Sequence, residues 1–417
     1  MTRLGTTVLA LIAGVTLGAG VAGTLAPHAN AQLRMGMNMG LGGPGEGKIT
    51  PADLEQFGQI LGLDKTQADA LKDLHHAYDT EYDQSSKALQ DKTEKIRQDF
   101  QDNQDPSVWQ KDMPEAFEKH QTKIEAIEKS FMSDLKALLH ADQTNKWPIL
   151  ERTNRRNKSL PGGMLAGESV DLIKMVGELK LPKASDAVSQ SLDRYDSELD
   201  QAIVERDVKR KDLREQMGFG SKKKDGKESG GGMAEMFNFQ KIGEVMAEMR
   251  KSGIKVRDIN DRYSTIVASG LPDDKRDDFF ARYKKAKFPQ VYRDSYTMKA
   301  LTGAAAFKDL DSEQRTGITE LAARYKREAD AANEKYAKAT ADAEKEGGGD
   351  DMMGGIMKMM GGDQGGDDSE LSQAKKAKRK LDSETVDKLK AMLKPEQVER
   401  LPERDNNSFQ FGGGRGR

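Results

Sequence analysis

The chain reads as all-α: three tandem long antiparallel helical hairpins with short capping helices, joined by Gly/Met-rich linkers expected to be disordered. Three observations predict this. A short motif, Leu-x-x-x-Gln or a degenerate form of it, recurs in opening and closing pairs. Between paired motifs, apolar residues return every three or four positions, the spacing of one helix face. Charged residues make up 33% of the chain, hydrophobic ones 36% and aromatics only 6%. That composition is poor in core-forming material and favours long, thin helices over a thick globular core.

The clearest motif copies are Leu138-Leu139-His140-Ala141-Asp142-Gln143 and Met392-Leu393-Lys394-Pro395-Glu396-Gln397, each following a Leu-Lys-Ala. The same shape opens helices at Leu63-Asp64-Lys65-Thr66-Gln67 and Leu310-Asp311-Ser312-Glu313-Gln314. Degenerate versions stand between them, Leu181-Pro182-Lys183-Ala184-Ser185 and Leu271-Pro272-Asp273-Asp274-Lys275. Six sites in three pairs imply three copies of one unit. Locally, Asp64 or Asp311 suits an N-cap, and Gln67 or Gln314 can reach back to the cap residue's own N–H, completing a capping box. Pro395 suits the first helical position, and Glu396 the positive end of the helix dipole. Leu63, Gln67, Leu139, Gln143, Leu310, Gln314, Leu393 and Gln397 are therefore read as joints between helices.

Residues 1–31 read as a secretory signal. Arg3 precedes an apolar stretch from Val8 to Val21, and Ala29-Asn30-Ala31 offers a small-x-small cleavage site between Ala31 and Gln32. The stretch is short and Gly-rich, which favours cleavage over a retained anchor, and no later segment is apolar enough to span a bilayer. Export places the protein outside the cytoplasm, in the periplasm if the cell is Gram-negative. The chain has no Cys, so disulfides and thiolate chemistry are excluded and packing alone holds the fold. A formal charge of −2 gives no basic surplus for nucleic acid.

Residues 32–49 form a Gly/Met-rich linker. Gly42 to Lys48 spaces its glycines and lysine like a phosphate-binding loop, but Ile49 stands where Ser or Thr is required and no strand precedes it. Hairpin 1 covers 50–160. Thr50-Pro51 starts a short helix (Leu54, Phe57, Ile60, Leu61) that Gly62 ends. A long helix follows with Leu71, Leu74, Tyr78, Tyr82, Leu89, Ile96 and Phe100 on one face. The return helix carries Met113, Phe117, His120, Ile124, Ile127, Phe131, Leu135 and Leu138, a narrow seam of the coiled-coil kind. At about 1.5 Å per residue, such arms are roughly 50 Å long. A last helix then runs through Trp147 and the basic stretch Arg152 to Lys158. Hairpin 2 covers 167–296, with seam residues Leu192, Tyr195, Leu199, Ile203 and Leu213. Its return arm carries Ile242, Val245, Met249, Val256, Ile259, Tyr263 and Ile266, and its Gly-rich tip (218–232) should be disordered. Hairpin 3 covers 297–402, with Leu310, Leu321, Tyr325 and Tyr336, a Met/Gly-rich tip at 347–368, and a loose tail at 403–417. Phe279 and Leu401 take the place of Trp147.

A second internal match fixes the register. Tyr78 with Glu81, Tyr195 with Glu198 and Tyr325 with Glu328 recur, each Tyr 14 or 15 residues after the opening Leu. Such a tyrosine belongs to a helix seam with solvated acids beside it, or it forms an acidic-aromatic patch that touches partners.

A Cys-free exported helical hairpin with a Leu-x-x-x-Gln joint near each end resembles the periplasmic Spy/CpxP family, known for Leu-Thr-x-x-Gln motifs. Leu63–Gln67 and Leu310–Gln314 look like that family's first motif, and Leu139–Gln143 and Leu393–Gln397 like its second. The chain departs from the pattern: Thr is replaced by Asp, His or Lys, hairpin 2 has lost both glutamines, and three hairpins stand where one is usual. The resemblance implies ATP-independent chaperoning or envelope-stress sensing, with unfolded or envelope proteins as clients and a homo-oligomer as a further assembly. Two other readings stay open. Met35, Met37 and Met39, with Met352, Met353, Met357, Met359 and Met360, offer clustered thioethers suited to Cu(I) or Ag(I), although the same composition serves a plain linker. The hairpins could also be spacers of an envelope scaffold. No cofactor motif and no nucleophile–base arrangement is found, so an enzyme is not expected. Four scattered histidines in the mature chain, without Cys, offer no zinc-site spacing.

Overall fold

The computed structural model describes residues 47–103, 108–181, 185–216, 239–346 and 369–403, with the side chains of 109–110, 213–216 and 239–243 left aside. The signal stretch with Ala31 and Gln32, both Met clusters, both long hairpin tips and the tail beyond residue 403 lie outside the described residues. Gly43–Arg417 form one unit of chain, and all that follows concerns it.

Every regular element among the described residues is helical. Hairpin 1 consists of α1 (Pro51–Leu61), α2 (Lys65–Asn103), α3 (Met113–Ala137) and α4 (Trp147–Ser159). Hairpin 2 consists of α5 (Leu172–Glu178), α6 (Asp186–Gln216), α7 (Phe239–Ser269) and α8 (Asp273–Lys287). Hairpin 3 consists of α9 (Tyr296–Ala305), α10 (Ser312–Glu346), α11 (Glu370–Met392) and the single turn α12 (Pro395–Val398). The long arms pair as α2 with α3, α6 with α7 and α10 with α11. One π-helical turn, Val108–Asp112, precedes α3.

Short polar residues start several of these helices. Thr50 and Asp53 form a capping box on α1, with Pro51 at its first position. Asp171 caps α5 through the N–H groups of Ile173 and Lys174, and Ser295 caps α9 through that of Met298. Each cap satisfies donors that the helix itself leaves free. At the end of α1, Gly62 adopts φ 65°, a left-handed conformation that a side chain disfavours. The corresponding position in hairpin 2 is Lys180, held at φ 50° although it is not glycine.

Each hairpin has an apolar core at its joint end, and in hairpin 1 a second cluster of Leu89, Ile96, Met113 and Ala116 packs further along the arms toward the tip. In hairpin 1, Phe57, Leu61, Leu71, Tyr78, Phe131, Leu135, Trp147 and Leu150 pack together. Phe279 and Leu401 fill the place of Trp147 in hairpins 2 and 3, and both are buried. Two sequence expectations change here. Lys48 and Ile49 belong to hairpin 1 rather than to a loose linker: Ile49 is 1% exposed and its N–H donates to the Tyr78 hydroxyl at 3.1 Å. Ile266 faces solvent, because α7 turns Val267 and Ala268 inward in its stead.

The last helix of hairpin 1 seats on the first arm of hairpin 2. The basic stretch of α4 is consumed in this contact: Arg152 meets Asp196 at 2.5 Å, Arg155 meets Asp200 at 2.7 Å, and Arg156 binds both Asp171 and Asp196. Beyond it, Ser159 donates to Asp207 at 2.6 Å, and the buried Arg206 binds Glu168 at 2.6 Å and the Ser159 carbonyl at 2.5 Å. Buried charges are tolerable only when paired and hydrogen-bonded in this manner. Between hairpins 2 and 3 the contact is thinner, with Lys284 on Glu334 at 3.5 Å. At its far side Glu344 accepts from the Ala166 N–H at 3.0 Å and stands 3.6 Å from the buried Arg257.

Two outcomes follow. Arg156→Leu leaves Asp171 without its arginine inside the junction, and equilibrium denaturation should record a loss of roughly 3–5 kcal/mol in the docking of hairpins 1 and 2. For Glu344, burial holds the carboxyl above its ordinary range, with Glu168 adding to that effect while the Ala166 N–H, Arg257 and Lys287 oppose it. A raised folded-state pKa means the docked form binds the proton more tightly, so Glu344 contributes stability as pH falls through that pKa, levelling off below the usual carboxylate value. Amide exchange in the last turns of α10, compared at pH 7.5 and pH 5.5, should therefore lose this proton-linked component in Glu344→Gln.

Candidate functional site

The motif residues of each hairpin, far apart in sequence, meet at its open end. In hairpin 1, Asp64 Oδ1 accepts from the Gln67 N–H at 2.9 Å, and Gln67 Oε1 accepts from the Asp64 N–H at 3.0 Å. That closes the local box. The same glutamine also crosses the joint, its Nε2 donating to the Leu138 carbonyl at 2.7 Å and to Gln143 Oε1 at 2.8 Å. Gln143 answers in kind, with Nε2 donating to the Gly62 carbonyl at 2.9 Å and to Gln67 Oε1 at 3.0 Å, while its Oε1 accepts from the His140 N–H at 2.9 Å. Two side-chain amides thus satisfy the backbone at four points and each other. Both glutamines are buried, where an unpaired amide would be costly.

Hairpin 3 repeats the device. Gln314 and Asp311 form the local box at 3.2 and 2.8 Å. Gln314 Nε2 donates to the Met392 carbonyl at 2.8 Å and to Gln397 Oε1 at 2.9 Å. Gln397 accepts from the Lys394 N–H at 2.8 Å and donates to the Asp309 carbonyl at 3.2 Å. Arg400 adds a pair with Asp309, held low in pKa chiefly by that arginine. Leu63, Leu139, Leu310 and Leu393 flank these amides and pack on the cores of their hairpins.

Hairpin 2 solves the same problem without glutamine. Pro182 and Pro272 stand where hairpin 1 has Asp64 and His140, the two residues whose N–H groups the glutamines satisfy. Proline has no N–H, so those donors do not exist. Ser185, in the place of Gln67, donates to the Gly270 carbonyl at 3.3 Å, and Arg276 covers the Ala268 and Leu271 carbonyls at 3.1 and 3.3 Å.

Above each joint a buried tyrosine latches the chain that enters the short helix. The Tyr78 hydroxyl accepts from Ile49, and that of Tyr195 from the Leu172 N–H at 3.2 Å. Tyr325 meets the Ser295 hydroxyl at 2.9 Å. Burial pushes all three phenols up. On the return arm one position serves them: Asn260 accepts from Tyr195 at 2.8 Å and Asp382 from Tyr325 at 2.6 Å. Its counterpart Glu128 instead holds Lys158 at 2.5 Å. All three lie at one distance before the closing Leu, a signal hidden by their differing residue types. The three rings are buried, whereas Glu81 and Glu328 are exposed and Glu198 partly so. Glu81 faces Lys123 at 3.4 Å, and Glu198 takes the Tyr263 hydroxyl at 2.5 Å beside Arg262. Glu328 is exposed.

The histidines are scattered. His75 Nε2 lies 2.8 Å from the Ile49 carbonyl, His120 Nδ1 lies 2.9 Å from the Ser85 hydroxyl, and His140 stands 3.5 Å from Asp64. Among the described residues, no group of three or more His, Asp or Glu is placed to hold a metal ion, and no helix is long and apolar enough to cross a membrane.

The glutamine pair should behave as one unit. Gln67→Ala and Gln143→Ala should each lower the stability of hairpin 1 by about 1–3 kcal/mol, because each strands buried backbone groups. The double variant should cost less than their sum, with a coupling of about 0.5–3 kcal/mol in a double-mutant cycle read by urea unfolding.

No family model, no curated protein and no solved structure matches the chain.

Proposed function

We propose that the protein is an exported, ATP-independent protein-binding factor of the cell envelope, acting as a holding chaperone or stress adaptor through the outer faces of its hairpins. In this reading residues 1–31 are the signal, removed between Ala31 and Gln32, and the three hairpins are divergent copies of a Spy/CpxP-like unit.

The observation that carries the reading is the pairing of the motif glutamines. Gln67 meets Gln143 across 76 residues of chain, and Gln314 meets Gln397 across 83. A chance match to a five-residue pattern has no reason to converge in space twice, so the motif marks a structural device common to hairpins 1 and 3 of this chain. The surface suits the role. The seams keep their apolar residues for themselves and expose charge, which favours fast and reversible contact. Val204 and Val208, one turn apart on α6, are exposed apolar side chains on such a charged face.

Protein beginning at Gln32, added without nucleotide at equimolar ratio to a thermally aggregating client, should suppress light scattering, with suppression weakening as salt screens the charged faces. Unchanged scattering at all ionic strengths overturns the reading.

A further inference from the structure

A buried guanidinium ordinarily spends its fork on hydrogen bonds, and that of Arg257 on α7 does not. Arg257 is 2% exposed, yet among the described residues neither Nη1 nor Nη2 makes a hydrogen bond. Its Nε reaches Asp258 at 3.4 Å, and the Glu344 carboxylate of hairpin 3 stands 3.6 Å from Nη1, an ion pair beyond hydrogen-bonding distance. Buried donors left in this state are costly, so the site suits a closer acceptor than the one it holds.

The backbone beside Arg257 is shaped for the same kind of ligand. Between α4 and α5, Glu168 accepts from the Met164 and Leu165 N–H groups at 2.8 and 3.0 Å, and Asn260 donates to the Gly167 carbonyl at 2.8 Å. Gly167 takes φ 84°, and a Cβ there would stand 3.2 Å from Arg257 Cγ. These contacts tie the turn down while the Ala166 N–H meets hairpin 3, where Glu344 accepts from it at 3.0 Å. An N–H and an arginine fork that share one acceptor form a carboxylate receptor.

Glu344 is a weak occupant. It reaches the N–H but not the fork. Burial penalises its charge and holds its carboxyl above the ordinary range. It also sits in the last turns of α10, where the helix dipole disfavours an acid. Tethering keeps it in place, because a group on the same chain acts at an effective concentration that offsets low intrinsic affinity.

We propose that Ala166 and Arg257 form a carboxylate receptor on hairpin 2, that Glu344 occupies it as a tethered ligand, and that an acidic segment of a partner protein displaces Glu344 to bind there. Hairpin 3 is then a strap over the receptor. A run of acids fits better than a single carboxylate. Lys287 packs against Gly167, and Lys284, one turn before it on α8, is released from Glu334 when hairpin 3 lifts. The receptor belongs to the junction of hairpins 2 and 3 and would stand if the chaperone reading failed.

The test titrates a fluorescein-labelled oligoglutamate peptide into the chain from Gln32 and reads anisotropy. Glu344→Ala, which removes the tethered competitor, should bind the peptide about tenfold more tightly than wild type. Glu344→Ala/Arg257→Gln should lose that gain, and Glu328→Ala, an exposed acid on the same helix, should bind as wild type does. Circular dichroism checks the fold of each variant. If Arg257→Gln unfolds the chain, Arg257→Lys takes its place: it keeps the charge without the fork and should remove most of the gain. Equal binding by wild type and Glu344→Ala, a gain that survives loss of the fork, or the same gain with oligothymidylate in place of the peptide overturns the proposal.

Discussion

A helical hairpin with long arms has a weak point where its chain enters and leaves, because two helix ends there expose backbone donors and acceptors to a partly buried space. Water cannot fully serve groups that the core has drawn inward, and an orphaned buried amide costs about as much as a lost hydrogen bond. Hairpins 1 and 3 meet this constraint with a pair of carboxamides. Glutamine suits it because one end of its side chain accepts and the other donates, so Gln67 can serve an N–H of its own helix and a carbonyl of the opposite strand together. A glutamate there would have no donor for the carbonyl, and a lysine no acceptor for the N–H.

The remaining architecture is arranged around these closed ends. In each hairpin an apolar core collects beside them, and the tyrosines lock the entering chain against them. The last helices carry the connection from one closed end to the next arm. Arg156 bridges the N-cap of α5 and the first arm of hairpin 2, so the same aspartate that starts a helix also receives the neighbouring hairpin. Docking and local folding of hairpin 2 are coupled through Asp171. The contact with hairpin 3 depends on fewer groups, and Glu344 stands in it at the cost of its own solvation.

Much of this was legible in local pattern. The long arms follow from apolar residues at helical spacing, and Thr50, Pro51 and Gly62 mark the ends of α1 by rules that act over a few residues. The tyrosine register was visible because identical residue types recur. What crosses the joint was not visible, since capping explains Gln67 without any reference to Gln143. The sequence marks the arginines of α4 only as a basic stretch, because their partners Asp196 and Asp200 lie some forty residues away. Position 128, 260 or 382 escaped notice because glutamate, asparagine and aspartate share a role but no letter. The prolines of hairpin 2 could have been read: each removes the donor that the missing glutamine would have served.

Lys48 has a consequence for how such units can be strung together. In hairpin 2 the acids after the latch tyrosine, Asp196 and Asp200, are neutralised by arginines from the hairpin before it. In hairpin 1 their counterparts, Asp79 and Asp83, are gripped at 2.6 and 2.7 Å by Lys48, a residue of that hairpin's own leading strand. The first hairpin thus carries its own counter-ion and can face water where the second needs a neighbour. Units that look interchangeable by motif are therefore not so by charge: a copy of hairpin 2 moved to the front would present bare acids, and a copy of hairpin 1 moved inward would repel the arginines offered to it.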